Sequence, residues 1–568
     1  MRILFLTHAF NSLTQRLYSE LGARGHRVSI EFDIADSVAE EAVALFRPDL
    51  IVAPYLRRAI PESIWRRHTC LIVHPGIVGD RGPSALDWAI LRNKSEWGVT
   101  VLQAEAEMDA GPIWASETFP LRRAKKSSVY RNEVTEAATR AVLTAAARFA
   151  AGGFVPTPLD YADPAVRGEL RPAMRQADRV IDWARDTRAM VLAKINAADG
   201  FPGVADTLFG EPCHLFDASA EESLRGVPGA VIARRETALL RATVDGAVWI
   251  GHVKRAGGIK LPATQAFARH LAGVPAAPLA DWWSPAGQTW QDIRYEESGQ
   301  TGFLHFDFYN GAMSTAQCQR LCAAYEWART RPTKLIVLMG GRDYWSNGIH
   351  LNTIEAADST ADESWANINA IDDLAEAIIR TDSHITVAAL QGNCGAGGCF
   401  LARAADLVWA RDGVLLNPHY RNMGNLYGSE YWTYLLPPRV GIDGARAMMH
   451  NRLPMSAQSG VAQGFLDACL AADPDAFRAE VARRATELAG APDLSARLRA
   501  KRDQRFADEA AKPLDSYRAE ELANMRRNFY GFDSSYHVAR FHFVNKSPNS
   551  WTPRHLAIHR ELGWSVPE

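Results

Sequence analysis

Cysteine is scarce in this chain, which has seven cysteines among 568 residues. A small and odd number excludes a disulfide-stabilised secreted scaffold and favours a reduced, cytoplasmic setting. Long hydrophobic runs are also absent, so no membrane span is predicted. The first residues carry one charge and a short apolar run, and we therefore expect no targeting segment.

A surplus of positive charge is missing as well. The formal net charge is −2 at pH 7, whereas proteins that bind nucleic acid present a basic surface to the phosphates. We therefore expect neither nucleic acid nor a membrane among the partners. No cluster of cysteine and histidine has the spacing of a zinc site, so Cys394 and Cys399 are predicted to pack in the core and no metal is expected.

The length of the chain indicates several domains, because 568 residues exceed what a single core usually supports. Apolar runs at residues 2–9 and 49–53 alternate with helix-like segments, which predicts an α/β domain with a doubly wound parallel sheet. A region rich in Gly, Pro and Ala indicates a linker, and α/β alternation resumes beyond it. The predicted segments are a first α/β domain at 1–154, a small β-barrel at 155–270, the linker at 271–288, and a second α/β domain with a helical tail at 289–568.

The barrel prediction depends on short alternating segments in the middle of the chain. Residues 240–244 and 247–250 flank the dipeptide Asp245-Gly246, which is typical of a hairpin turn. A series of such strands in a small domain predicts a small β-barrel.

A histidine stands where a strand of the first domain is predicted to end. It belongs to the motif Val73-His74-Pro75-Gly76. Ligands of doubly wound sheets bind at the carboxyl ends of strands, and imidazole exchanges protons near neutral pH. Asp109 can orient the imidazole and support its cationic form. The residues predicted to shape the loop that receives the ligand are Pro75, Gly76, Arg81 and Gly82.

The stretch from Leu71 to Ile113 resembles the folate-dependent formyltransferases. The resemblance implies that residues 1–154 bind 10-formyltetrahydrofolate, that His74 and Asp109 are catalytic, and that the barrel corresponds to the carboxyl-terminal domain of these enzymes. One position departs from the family pattern, because Ile72 stands where an asparagine normally helps to hold the formyl oxygen. Loss of one such donor costs about 10²–10³ in rate. Three interpretations stay open: another group or a water compensates, the site serves an easier acceptor such as a thiol, or it only binds its ligand.

A second pair of motifs lies beyond the linker. The first is Asn347-Gly348-Ile349-His350-Leu351, and the second is the Gly-rich run that contains Gly395, Ala396 and Gly397. A Gly-rich run lets the backbone approach a ligand and opens a helix whose amino terminus favours negative charge. Together the motifs resemble the crotonase (enoyl-CoA hydratase) superfamily. The resemblance implies that residues 289–568 bind coenzyme A and that the N–H groups of Ile349 and Ala396 hold a thioester oxygen. A tight strand–helix turn without a ligand is the alternative.

The two glutamates that hydratases use are absent. Phe400 occupies the position of the first, and the second would fall near His419, so we do not expect water addition across a double bond. Nearby candidates are Tyr420, which can donate or accept a proton, and Glu430, whose pKa a largely apolar pocket would raise. We predict that Tyr420 and Glu430 are catalytic and that His419 contributes to ligand binding. A packed Tyr420 and a solvated Glu430 are the alternative.

The combination of these domains resembles the HypX (HoxX) family of hydrogenase maturation proteins. That resemblance implies transfer of a formyl group from 10-formyltetrahydrofolate to coenzyme A. Decarbonylation of formyl-CoA would then supply carbon monoxide for the iron of [NiFe]-hydrogenase, and hydrogenase maturation proteins are the expected partners. Two alternatives stay open: a formyl-CoA synthase or hydrolase that releases no carbon monoxide, and a folate- and CoA-binding assembly factor without turnover.

Overall fold

The structure is a computed structural model that describes residues 1–285 and 287–560. Two predicted segments extend past these limits. The linker predicted at 271–288 includes Ala286, and the domain predicted to end at 568 includes the last eight positions. Those positions lie outside the described residues.

The first domain is built around a six-stranded sheet in the order β2-β1-β3-β4-β5-β6. Its strands are β1 (Arg2–Thr7), β2 (Arg27–Phe32), β3 (Leu50–Ala53), β4 (Cys70–His74), β5 (Glu96–Gln103) and β6 (Ile113–Pro120). Its helices are α1 (Ser12–Ala23), α2 (Asp36–Phe46), α3 (Glu62–Trp65), α4 (Ala85–Leu91), α5 (Lys126–Val129) and α6 (Thr135–Ala151). The predicted α/β architecture is confirmed.

The prediction of a parallel sheet is wrong for one strand, β5, which runs in the opposite direction to the other five. Strands β1 to β4 are parallel, but β5 is antiparallel to β4 and β6 is antiparallel to β5. Only residues 104–112 join β5 to β6, and a parallel pair needs a longer crossover, usually with a helix.

Helix α1 shows how the local sequence builds this domain. Asn11 precedes the helix, and its side-chain oxygen accepts a hydrogen bond from the Thr14 N–H, which caps the amino terminus. Leu13, Leu17 and Leu21 recur every four residues and are all buried in the core against the sheet.

The middle domain contains an open sheet in the order β7-β8-β11-β10-β9, with β12 paired to β11. The strands are β7 (Val204–Leu208), β8 (Glu211–Glu221), β9 (Val231–Arg235), β10 (Ala238–Ala242), β11 (Ala247–Arg255) and β12 (Lys260–Pro262). The helices are α7 (Arg188–Ala198) and α8 (Ala263–Ala266). The sheet of the predicted small barrel is not closed, because within the described residues the end strands β7 and β9 do not pair with each other. The β9 edge instead pairs with the linker, where Arg234 bridges Ala276.

The third domain has a main sheet in the order β13-β14-β15-β17-β19-β22 and a smaller one in the order β16-β18-β20-β21. The strands are β13 (Ile293–Ser298), β14 (Thr301–Phe306), β15 (Leu335–Met339), β16 (Tyr344–Ser346), β17 (Ile385–Leu390), β18 (Asn393–Gly395), β19 (Leu407–Arg411), β20 (Leu415–Asn417), β21 (Met455–Ser456) and β22 (Ala468–Leu470). The main sheet is parallel except for β13. Strands β15 and β17 are buried along their whole length, as expected for parallel strands covered on both faces.

The helices of this domain include a helical tail, as predicted. They are α9 (Thr315–Arg329), α10 (Leu351–Glu355), α11 (Thr360–Ile379), α12 (Gly397–Arg403), α13 (Trp432–Leu435), α14 (Pro437–His450), α15 (Ala457–Ala462), α16 (Pro474–Ala489), α17 (Leu494–Ala511), α18 (Leu514–Tyr530) and α19 (Ser535–Asn545). None of the helices in the described part of the chain is both long enough and apolar enough to cross a membrane.

The end of the described chain packs against the first domain. The Ile30 N–H of β2 donates to the Leu556 carbonyl at 3.0 Å, and the Leu556 side chain joins the core of the first domain. Buried Glu31 accepts hydrogen bonds from Thr552, from Arg560 at 2.7 Å and from His559, whose Nε2 lies 2.9 Å away. Residues 552–560 therefore tie the tail to the open edge of the first sheet.

We expect Glu31→Gln to destabilise the protein by about 1–3 kcal/mol, because it weakens several bonds to one buried carboxylate. Burial alone would raise the pKa of Glu31, but the bonds from His559, Thr552 and Arg560 hold that pKa below its ordinary value. The contribution of Glu31 is therefore present at neutral pH and lost as the pH falls through its lowered pKa. Thermal unfolding at pH 7 and pH 4 measures this effect.

The matched control is Glu41→Gln, which removes the exposed carboxylate on the other side of Arg560. We expect little change in the unfolding temperature, because exposed ion pairs contribute little. Equal losses in the two variants would contradict a special role for Glu31.

Candidate active sites

His74 lies between two carboxylates at the carboxyl end of β4. Its ring is buried, with Nδ1 3.5 Å from Asp109 Oδ2 and Nε2 3.2 Å from Asp80 Oδ1. The sequence predicted the first carboxylate but not the second. The two carboxylates face both ring nitrogens and can fix the orientation of the ring, an arrangement that suits a group that transfers protons.

The Asp109 loop and the Arg81-Gly82 loop are joined by hydrogen bonds. The Gly82 N–H donates to Asp109 Oδ2 at 3.1 Å, and Arg81 Nε donates to the Met108 carbonyl at 2.9 Å. Asp109 has a φ of 53°, in the left-handed region, which a non-glycine residue adopts only where its surroundings compensate for the strain. The structure thus brings His74, Asp109, Arg81 and Gly82 together.

Pro75 and Gly76 shape the turn after His74. The Pro75 carbonyl accepts a hydrogen bond from Trp97 Nε1 at 2.9 Å, and the Gly76 carbonyl accepts one from Thr100 Oγ1 at 2.9 Å. A Cβ on Gly76 would lie 2.5 Å from His74 Nε2, closer than any side chain could be placed. Glycine is therefore required here by the position of the imidazole.

Ile72 is two residues before His74 and lies on the same face of β4. Its side chain is half-buried and packs against an apolar cluster of the first domain. It supplies no hydrogen-bond donor, as the sequence indicated. The role that asparagine has in the formyltransferase pattern is not filled by this position.

The two motifs of the third domain meet because neighbouring strands carry them. The Asn347–Leu351 motif follows β15 and β16, and the Gly-rich run follows β17 and β18, which pair in parallel with those strands. Gly348 has a φ of 74°, and a Cβ on it would lie 3.3 Å from the Gly397 nitrogen. The Gly348 turn therefore lies directly against the start of α12.

The prediction that the Ala396 N–H holds a thioester oxygen is wrong in this structure. That N–H donates to the Asn417 carbonyl at 2.9 Å, because β18 and β20 pair in parallel at this point. Gly397 is the first residue of α12, so no carbonyl one turn earlier in the helix can accept from its N–H. Gly397 therefore replaces Ala396 as the candidate donor beside Ile349.

Tyr420 and Glu430 form a buried hydrogen-bonded pair beside this turn. Tyr420 Oη donates to Glu430 Oε2 and lies 3.1 Å from the Ser429 carbonyl. A Cβ on Gly397 would lie 2.0 Å from Glu430 Oε1, so the carboxyl group contacts the helix start directly. Glu430 and Tyr431 have φ angles of 60° and 63°, and such strain often marks functional sites.

The alternatives for this pair are a solvated Glu430 and a packed Tyr420, and the structure contradicts only the first. Glu430 is 1% exposed, so the interpretation as a solvated helix residue is wrong. Tyr420 also packs, because its ring stacks on Phe400 at 5.6 Å between centroids. Phe400, which occupies the position of the first hydratase glutamate, therefore forms an apolar wall next to the pair.

Three buried carboxyl groups share this region, and burial raises the pKa of each. The pKa of Glu430 is held well above its ordinary value, mainly by burial and then by Asp372. Burial raises the pKa of Asp372 to about 6 and that of Glu521 to about 8. Burial therefore favours the protonated, neutral form of Glu430. Sequence reasoning missed Asp372 and Glu521, which come from the distant helices α11 and α18 and have no local motif.

His419 lies near the contact between the first and third domains. Two residues earlier, the Asn417 side-chain amide donates to Gln15 Oε1 of α1 at 3.2 Å. Both His419 ring nitrogens are buried without a hydrogen-bond partner among the described residues. Burial, with help from His555 and Arg452, lowers the pKa of His419 to about 4, so this ring is neutral and available to a polar ligand atom.

A basic cavity lies where the three domains meet, and sequence reasoning did not find it. Its volume is about 190 Å³. The charged residues that line it are Arg122, Arg123, Lys125, Arg131, Arg342, Asp307 and Asp343. Burial raises the pKa of Asp307 to about 6, so this carboxyl is easier to protonate than an exposed aspartate. Arg131 lies on a π-helical turn, Tyr130–Val134, between α5 and α6, and such turns are frequent at functional sites.

Comparison with known families agrees with this arrangement. Residues 9–146 match the formyl transferase family, residues 173–271 match the formyl transferase C-terminal domain, and residues 308–553 match the enoyl-CoA hydratase/isomerase family. Methionyl-tRNA formyltransferase from Dechloromonas aromatica is 26% identical over 42% of this chain and 76% of its own length.

Two similar proteins extend over the whole chain. Hydrogenase maturation factor HoxX from Bradyrhizobium diazoefficiens is 55% identical over 99% of this chain and 97% of its own length. The crystal structure of HypX from Aquifex aeolicus in complex with tetrahydrofolic acid is 48% identical, with a TM-score of 0.97 and full coverage of both chains. The resemblance inferred from the motifs is confirmed, and the chain belongs to the HypX/HoxX family of hydrogenase maturation factors.

Proposed function

We propose that this protein transfers the formyl group of 10-formyltetrahydrofolate to coenzyme A and then splits the formyl thioester into carbon monoxide and coenzyme A. The product would supply the carbon monoxide ligand of the [NiFe]-hydrogenase iron. The observation that carries the proposal is the buried acid Glu430 against the Gly397 turn, in a domain that lacks the hydratase glutamates. A site of this kind can handle a thioester without delivering water to it.

The first step belongs to His74. Its imidazolium, supported by Asp109, protonates the departing folate nitrogen while the thiol of coenzyme A attacks the formyl carbon. The neutral imidazole then accepts the thiol proton, so His74 returns to its starting state. A thiol is a better nucleophile than water or an amine at neutral pH, which is consistent with Ile72 in place of an oxyanion donor.

The basic cavity is the proposed site for the phosphates of coenzyme A. Five cationic residues and two aspartates line it, and arginine is well suited to bind phosphate groups. Arg131 is positioned by Asn310, because its Nη2 donates to Asn310 Oδ1 at 2.9 Å. Since the cavity lies between the domains, phosphates held there leave the flexible pantetheine arm free to reach either motif.

The second step belongs to Glu430 and Tyr420. The N–H groups of Ile349 and Gly397 hold the thioester oxygen. Glu430 gives its proton to the departing sulfur, and its carboxylate takes the proton of the formyl carbon, with Tyr420 hydrogen-bonded to the carboxyl group throughout. The carbon–sulfur and carbon–hydrogen bonds break, the sulfur–hydrogen bond forms, and carbon monoxide leaves. Tight packing around Phe400 would keep out the water that would otherwise hydrolyse formyl-CoA.

The deciding experiment combines purified protein, 10-formyltetrahydrofolate and coenzyme A with deoxyhaemoglobin as a trap for carbon monoxide. We expect the haem spectrum of the carbon monoxide complex only when both substrates are present. Consumption of the folate without that spectrum would indicate a formyl-CoA synthase or hydrolase. Binding of both ligands without consumption of the folate would favour the assembly-factor alternative. That alternative is also supported by Ile72, which stands where the formyltransferase pattern has asparagine.

The cellular setting follows from the same proposal. All seven cysteines are unpaired thiols, which suits the reducing cytoplasm. There the protein would act with the hydrogenase maturation proteins that receive the carbon monoxide.

A further inference from the structure

Asp80 is a buried carboxylate that faces His74 and that no motif identified. Its side chain is 0% exposed. One oxygen, Oδ1, lies 3.2 Å from His74 Nε2, and the other, Oδ2, lies 3.3 Å from Arg171 Nε. Oδ2 has no hydrogen-bond partner among the described residues, so the ion pair with Arg171 is what balances its charge.

Arg171 reaches Asp80 because a segment of the middle region covers the loop after His74. We call residues 160–171 the cover segment. Tyr161 Oη donates to the Gly79 carbonyl at 2.9 Å, the Arg81 N–H donates to the Glu169 carbonyl at 3.2 Å, and the Arg171 N–H donates to the Arg81 carbonyl at 3.0 Å. The Asp80 loop and the cover segment are thus paired along their backbones.

The Asp80 loop and the cover segment are packed closely against each other. A Cβ on Gly168 would lie 1.8 Å from the Asp80 nitrogen, and a Cβ on Gly82 would lie 2.2 Å from the Arg171 carbonyl oxygen. Glycine at both positions lets the backbones approach this closely. The position of the Asp80 carboxylate relative to His74 is therefore fixed by the fold.

We infer that Asp80 is a positioning residue for the formyl transfer proposed above, and that Arg171 adjusts its effect. Asp80 accepts a hydrogen bond from His74 Nε2 while Asp109 faces Nδ1, so the ring is oriented before the formyl donor arrives. The ion pair with Arg171 offsets part of the negative charge of Asp80, which weakens the attraction between the carboxylate and a positively charged His74 ring. This inference rests on the proposed function of His74.

The chemistry requires no other reactant. When the donor binds, the folate nitrogen takes the place of Asp80 beside His74 Nε2. The Nε2 proton passes to that nitrogen as the carbon–nitrogen bond breaks and the carbon–sulfur bond forms. The thiol proton restores the imidazolium, and the contact with Asp80 forms again. Asp80 remains a carboxylate in every state.

Two substitutions should move the protonation of His74 in opposite directions. In Asp80→Asn the imidazolium loses its carboxylate, so a lower pH is needed to charge the ring. In Arg171→Gln the negative charge of Asp80 is no longer balanced, so the imidazolium is more stable and the ring stays charged to a higher pH. A loss of structure alone cannot produce shifts of opposite sign.

The experiment follows the ring signals of His74 by NMR of histidine-labelled protein during a pH titration, with His74→Gln used to assign them. It needs no substrate. We expect the transition to move to lower pH in Asp80→Asn and to higher pH in Arg171→Gln. The control is Glu169→Gln, because Glu169 Oε1 lies 3.1 Å from Arg171 Nη2 but is exposed; it should leave the transition in place.

A rate measurement links the inference to function. We expect Asp80→Asn to lower kcat of formyl transfer about 10- to 100-fold, a part of what acid–base catalysis contributes, with little change in KM for the folate. Unmoved ring signals in both variants would overturn the role of Asp80 even if formyl-CoA is made. If wild-type protein makes no formyl-CoA but the ring signals shift as expected, only the proposed function fails. If Asp80→Asn does not fold, the test depends on Arg171→Gln, in which the His74 transition should move to higher pH.

Discussion

His74→Ala is expected to lower the rate of formyl transfer by about 10²–10⁴, which is the usual contribution of a positioned acid–base group. The folate nitrogen is a poor leaving group until it is protonated, and His74, which lies between Asp80 and Asp109, is the proposed proton donor. Binding of tetrahydrofolate should persist, because the loop after β4 is held by Trp97 and Thr100 and not by the imidazole. Single-turnover formation of formyl-CoA and a binding titration separate the two effects.

The matched control is His8→Ala. His8 follows β1 of the same sheet, and its Nδ1 lies 2.8 Å from Asp33 Oδ1, so it is another histidine with a carboxylate partner at a strand end. We expect formyl transfer to stay close to the wild-type rate. A His74→Ala variant that still makes formyl-CoA at the wild-type rate would move the catalytic acid to another residue.

The first site shows what the sequence could predict. The apolar run at 71–73 placed His74 at a strand end, and the formyltransferase pattern linked it to Asp109 across the intervening strand. The contact between Asp80 and His74 could not be predicted from the sequence, because it depends on how the loop that carries Asp80 folds back under the cover segment. The loop takes this shape because it packs against the distant cover segment, and such packing produces no recognisable pattern in the sequence.

At the second site, too, the sequence could predict which motifs meet but not the exact residue that faces the ligand. The motifs predicted that the Gly348 turn and the Gly-rich run meet, and the structure places Gly348 against Gly397. The error of one residue at Ala396 arose because the available N–H depends on where β18 stops pairing with β20. Strand register sets that point, and one residue changes the direction in which an N–H faces. The sheet of the predicted barrel stays open for a related reason, since the linker pairs with the β9 edge.

Glu430→Gln is expected to stop the release of carbon monoxide, with a loss of about 10²–10⁴ in rate, while formyl-CoA accumulates. Glutamine keeps the size of the side chain but can neither give a proton to the departing sulfur nor take one from the formyl carbon. The haemoglobin trap measures carbon monoxide, and chromatography of the thioesters measures formyl-CoA. Burial and Asp372 hold the pKa of Glu430 well above its ordinary value, which favours the acid form. Release by the wild-type protein should therefore decline as the pH rises through that pKa.

Glu521→Gln separates the chemistry of Glu430 from the effect of losing a buried acid. Glu521 is also fully buried, and burial raises its pKa to about 8. Its oxygens, however, accept from the Tyr431 and Thr433 N–H groups at 2.9 Å and 2.8 Å, so it holds the strained turn that carries Glu430. Glutamine can keep part of this bonding, and we expect release to continue within a few-fold of the wild-type rate. Equal losses in both variants would mean that the carboxyl cluster only supports the turn. A loss confined to Glu430→Gln would identify Glu430 as the group that moves the proton.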